Sequence, residues 1–128
     1  MDFHRSFGQR VGRIPELPGE AERSLRAKLL AEEYYEYKDA ERNNDIVEIA
    51  DALADIIYIA CGTAVSYGIP LDKIFEAVHN SNMAKLVDGK PLRREDGKVL
   101  KPEGWTPPQI EAILEKEKEI CRNAQITL

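Results

Sequence analysis

Apolar residues recur at three- and four-residue intervals from about Glu20 to Arg42, where Leu25, Leu29, Leu30, Tyr34 and Tyr37 predict an amphipathic helix. Asn43-Asn44 interrupts the pattern. Asp45, with Glu48 three residues on, has the form of a capping box. It predicts a second helix running through Ile46, Ile49, Leu53, Ile56, Ile57 and Ile59 to Tyr67, closed by Gly68-Ile69-Pro70. That segment is apolar nearly all round, so it is expected to be the central helix. A third helix is predicted from about Pro70 to Leu86, with Leu71, Ile74, Phe75 and Val78 as its core stripe. Asp88-Gly89-Lys90 and Asp96-Gly97-Lys98 are turn signals and predict a short loop or hairpin. Thr106-Pro107-Pro108-Gln109 predicts the start of a last helix, with Thr106 as N-cap, Pro107 at its first position, and a face of Ile110, Ile113, Leu114 and Ile120. Residues 1–19 hold Gly8, Gly12, Pro15, Pro18 and Gly19, and are expected to form an irregular arm. The prediction is an all-α, four-helix bundle-like domain spanning residues 1–128.

Charge interrupts this apolar pattern in two places. Glu32-Glu33-Tyr34-Tyr35-Glu36 lies on the first long helix and Glu48-Ile49-Ala50-Asp51 on the second. At 100° per residue, Glu36 projects between Leu25 and Leu29, with Glu32 and Glu33 within about 60° of it. Glu48, Asp51 and Asp55 share a stripe about 60° wide that continues into Ile59, Gly62 and Thr63. A turn at Asn43-Asn44 folds the helices antiparallel and sets the two clusters face to face. Carboxylates crowded on half-desolvated faces repel unless a cation compensates, and few Lys or Arg lie nearby in sequence. The i,i+3 pairs can pinch a hard divalent metal. Asp55 is open between a second-metal or supporting role and that of a partnered structural acid. Singly, each acid also has a plain reading as helix surface or cap.

Composition adds little against this reading. The net charge of −5 argues against a general nucleic-acid or anionic-membrane binder. The imbalance is local: Ala31 to Asp55 carries nine acids against Lys38 and Arg42, or −7, whereas Lys85 to Glu103 has six basic and four acidic residues, or +2. Such a pairing suits a metal bound to a polyphosphate. Two cysteines make no disulfide framework, and Cys61, in an apolar stretch, is expected to be a small buried hydrophobe. No signal peptide is evident, and the longest apolar run, Ile56 to Val65, is too short to span a bilayer, so a cytoplasmic location is expected.

On the third helix, Asn82 and Lys85 fall on the same face as Leu71, Ile74, Phe75 and Val78. They are candidates for reaching into the acidic cleft to hold phosphate, base or sugar; snorkelling is the alternative for Lys85. Glu76-Ala77-Val78-His79 is a single ExxH, half of a di-iron pattern, and the only other histidine is His4. Trp105 reads as a packing residue or a base-stacking platform. No Walker-type phosphate loop is present.

With its helix order, the pair of acidic motifs resembles the EExxE…ExxD signature of the all-α nucleoside triphosphate pyrophosphohydrolases, which include MazG-like enzymes, phosphoribosyl-ATP pyrophosphohydrolase and dimeric dUTPases. Val78-His79-Asn80-Ser81-Asn82-Met83-Ala84-Lys85-Leu86 and Asp96-Gly97-Lys98-Val99-Leu100-Lys101 resemble the MazG-like and phosphoribosyl-ATP pyrophosphohydrolase-like branch. The spacer of residues 37–47 is short, which argues against a strict dUTP preference. The resemblance implies the family's all-α fold and Mg²⁺-dependent cleavage of the α–β phosphate bond of a (d)NTP, with Mn²⁺ as an alternative ion. Nucleoside monophosphate and pyrophosphate would be the products, and clearing of the nucleotide pool the expected role. Carried over by motif, Glu33, Glu36, Glu48 and Asp51 would be metal ligands, and Glu32 would position or deprotonate the water. A homodimer or tetramer is implied. The competing class is a non-catalytic helical protein that binds nucleotide or metal, or serves as an oligomeric interaction module.

Overall fold

The computed structural model describes residues 1–126, which divide into two compact units. The first, Met1–Ile69, contains α1 (Asp2–Ser6), α2 (Glu20–Arg42) and α3 (Ile46–Tyr67). The all-α class is as predicted, with one added element: the arm begins with the short helix α1. Its acid in the first turn and basic residues in the last suit the helix dipole.

Local chemistry sets the long helices. Asn44, at φ 54°, turns the chain between them. The Asp45 side chain then accepts from the Val47 and Glu48 backbone N–H groups at 3.1 and 3.2 Å. Only half of the predicted capping box forms, because the Asp45 N–H donates to the Ala40 carbonyl at 3.1 Å and needs no help from Glu48. Gly68 ends α3 in the left-handed conformation (φ 68°, ψ 22°), where a Cβ would strike the Ile14 backbone.

Small side chains hold α2 and α3 together, the buried apolar residues being Ala40, Ala52 and Ala64. The arm docks on the C-terminal end of α3: Gly12 N–H donates to Val65 O at 2.8 Å and Glu16 N–H to Tyr67 O at 3.1 Å. A Cβ on Gly12 would collide with the backbone of residues 66–68. Ser66, fully buried, donates its hydroxyl to Glu22 Oε1 at 2.5 Å, pinning the two helices. Large apolar residues of α2 and α3 nevertheless face outward, including Ile46 at 74% and Ile57 at 65% exposure. Cys61 is exposed, not buried as its apolar context suggested, since one chain does not cover every side of α3. Tyr34 and Leu25, expected in the core stripe of α2, are exposed for the same reason.

The second unit begins at Pro70 and contains α4 (Leu71–Met83), β1 (Leu86–Val87), β2 (Lys90–Pro91) and α5 (Ile110–Ile126). The strands pair antiparallel, with Leu86 opposite Pro91. Asp88 (φ 51°) and Gly89 (φ 74°) supply the two left-handed residues of a tight hairpin turn, as the Asp-Gly signal predicted. The half-buried stripe of α4 is Leu71, Ile74, Ala77, Val78 and Ser81, while Phe75, expected within it, is exposed. α5 starts at Ile110, later than the Thr106 cap predicted. Thr106 and Pro107 each precede a proline, which disfavours helical backbone at both positions. Glu76 and His79 are both exposed. Among the described residues, no helix is long and apolar enough to cross a membrane.

Candidate active site

Three contacts set the register of the antiparallel α2–α3 pair. Glu22 meets Ser66, Arg26 meets Ile59 and Thr63, and Glu33 lies within electrostatic range of Asp51 and Asp55. The short turn between the two antiparallel helices brings Asp51 and Asp55 of α3 within electrostatic range of Glu33 on α2. Glu33 is the focus. It is half-buried, and its Oε2 is buried with no hydrogen-bond partner. Burial, and then the charges of Glu36, Asp55, Glu32 and Asp51, hold its carboxyl above the ordinary glutamate range.

The structure therefore brings Glu32, Glu33 and Glu36 together with Asp51 and Asp55. Glu32, Glu36 and Asp51 are exposed, and Asp55 is half-buried. Lys28 approaches Glu32 at 3.9 Å, a surface pair with little screening power over the cluster. Glu48 is exposed at the start of α3 and is not among the charges acting on Glu33. No group of three or more His, Cys, Asp or Glu side chains among the described residues is drawn tight enough to enclose a metal ion. The donor set still suits a hard cation: all are carboxylates, and Glu33 presents a buried oxygen lacking any partner.

In the second unit, Lys85 donates to Asn82 Oδ1 at 2.9 Å, and its ammonium lies 5.4 Å from the centroid of the Trp105 ring. Lys101 sits over the same ring at 4.8 Å, and the indole N–H donates to the Ser81 carbonyl at 2.8 Å. Trp105 is thus both packing residue and cation platform. Asn82 is exposed and Lys85 half-buried.

Sequence reasoning missed Arg26 and His4, both buried in the first unit. A signal for Arg26 was available: seven residues before Glu33, it lies within about 20° of it on the helical wheel. His4 carried no such signal, being in a Gly- and Pro-rich arm.

The raised carboxyl of Glu33 has a consequence for stability. A proton bound more tightly when folded than when unfolded favours folding at low pH, and that advantage is lost as pH rises through the folded-state value. Without divalent metal, Glu33→Gln is expected to melt higher than wild type at pH 7. The difference should close as pH falls below the ordinary glutamate range. Melting curves across pH 3.5–7.5 in EDTA check this; parallel curves for the two proteins would contradict it.

Residues 1–82 match the sequence model of a family described as phosphoribosyl-ATP pyrophosphohydrolase. The match contains α2, α3 and all the candidate acids, ends at Asn82 and stops short of Lys85. No curated protein matches the chain. With this match over residues 1–82 and its all-α architecture, the chain belongs to the phosphoribosyl-ATP pyrophosphohydrolase family, within the MazG-like all-α NTP pyrophosphohydrolases.

Proposed function

We propose that this protein is a Mg²⁺-dependent nucleoside triphosphate pyrophosphohydrolase that cleaves the α–β phosphate bond to release nucleoside monophosphate and pyrophosphate. The observation that carries the reading is the buried, unpartnered carboxylate oxygen of Glu33, set among four other acids in a chain of this family. Glu33, Glu36, Glu48 and Asp51 would hold the ion. When bound, Mg²⁺ neutralises charge on the phosphates and acidifies water.

The side chains have separate tasks. A water oxygen bonds to phosphorus as the bridging P–O bond breaks and pyrophosphate leaves. The water's proton passes to a carboxylate, a task we assign to Glu32, whose exposed side chain has only the 3.9 Å approach of Lys28 among the described residues. We assign Asn82 and Lys85 to binding the substrate's phosphates or sugar; Lys85 donates to Asn82 Oδ1 and forms no ion pair with a carboxylate among the described residues.

The deciding assay is a panel of NTPs, dNTPs and phosphoribosyl-ATP with Mg²⁺, scored for pyrophosphate against orthophosphate. Pyrophosphate release supports the reading. Orthophosphate alone would point to another phosphatase, and no hydrolysis to a non-catalytic binding module.

The apolar residues left outward on α2 and α3 also support a homo-oligomer, a dimer or a tetramer. Light scattering at micromolar concentration should give at least twice the 14.5 kDa of one chain. A monomer mass would contradict this.

A further inference from the structure

Gly62 leaves a notch between two buried polar side chains. A Cβ there would lie 2.5 Å from Arg26 Nη2 and 2.9 Å from His4 Nε2, so both nitrogens converge over the bare Cα. Arg26 is 5% and His4 3% exposed. Arg26 donates through Nε to Thr63 Oγ1 at 3.1 Å and through Nη2 to the Ile59 carbonyl at 2.9 Å. It forms no ion pair among the described residues. A buried guanidinium with no carboxylate is expensive, and its fork has donors beyond those two bonds. The His4 Nδ1 lies 2.7 Å from the Arg10 carbonyl. A carbonyl only accepts, so Nδ1 carries a proton, and in that tautomer of the ring Nε2 is an acceptor.

Both side chains line a cavity of about 450 Å³, together with Phe3, Tyr58, Leu29 and Ile59. Its size and its mixture of apolar walls with a few polar groups are those of a small-molecule site. The candidate acids do not line it. Arg26 is nevertheless on the same face of α2 as Glu33, about 10 Å along the axis, a span that a nucleoside bridges.

We propose that this cavity receives the base of the nucleotide and favours bases with a carbonyl beside a ring N–H, such as guanine and uracil. The Arg26 fork donates to the carbonyl and His4 Nε2 accepts from the ring N–H, while Tyr58 and Phe3 offer aromatic faces for stacking. The two rings already meet edge to face at 5.6 Å between centroids. A phosphate or carboxylate would suit Arg26 alone. It would set its charge against the apolar walls and the lone pair of His4. The orientation, base in the notch and phosphates at the acids, rests on the pyrophosphohydrolase reading.

The test uses free nucleosides with the full chain in EDTA, so it involves no turnover and its outcome is separate from that of the pyrophosphate assay. Guanosine and uridine are expected to shift the His4 ring signals in an NMR titration and to bind about tenfold more tightly than adenosine and cytidine. Gly62→Ala should erase that preference by displacing Arg26 and His4. Tyr58→Ala, which removes a ring that is 55% exposed, should weaken all four nucleosides about fivefold and keep the preference. Should Gly62→Ala fail to fold, wild type and Tyr58→Ala carry the test. Equal affinity for the four nucleosides would overturn the proposal. So would His4 signals that answer to inorganic phosphate and not to guanosine or uridine.

Discussion

Asn in place of Asp51 is expected to leave the protein folded and to cut turnover about a hundredfold or more. Asp51 is exposed, and its charge is one of four that push the Glu33 carboxyl upward. Its removal therefore relieves repulsion in the metal-free protein, and the melting temperature in EDTA should not fall. The loss appears in catalysis, since an amide holds a hard cation less strongly than a carboxylate and leaves more charge on the phosphates. Lys85→Ala provides the contrast. If Lys85 holds phosphate equally in ground and transition states, KM rises; if its grip tightens during cleavage, kcat falls. Measuring kcat, KM and melting temperature for both variants separates the roles. Wild-type turnover in Asp51→Asn would remove it from the site, and wild-type kinetics in Lys85→Ala would do the same for the lysine.

Chelation is expected to have a still larger effect. Excess EDTA should abolish hydrolysis, and Mg²⁺ or Mn²⁺ should restore it, because every proposed ligand is a hard oxygen. Mg²⁺ should also raise the melting temperature, as any ligand bound only by the folded state does. The gain should be smaller in Glu33→Gln, which removes the carboxylate whose Oε2 is buried and unpartnered. Full activity in EDTA would sink the metal assignment, whatever the products.

The sequence by itself determined the elements whose cause is local. Helical periodicity marked α2 and α3, Asp45 and Gly68 marked the ends of α3, and Asp88-Gly89 marked the hairpin. That Asp51 comes near Glu33 was also legible, because a short turn between two helices of known pitch leaves one antiparallel arrangement, whereas Glu48 is not among the charges acting on Glu33. Where the chain's own steric rules were misread, as at Thr106-Pro107-Pro108, the boundary of α5 moved. Tertiary structure alone decided which acid is desolvated. Five carboxylates look alike in sequence, yet of the five only Glu33 has an oxygen buried without a partner, because burial depends on packing and not on residue type. The same holds for the Arg26–His4 notch: its members come from α1, α2 and α3, and meet because Gly62 has no side chain to keep them apart. Local pattern specifies conformation residue by residue. Desolvation and convergence are properties of neighbours distant in sequence, and they exist only once the helices have packed.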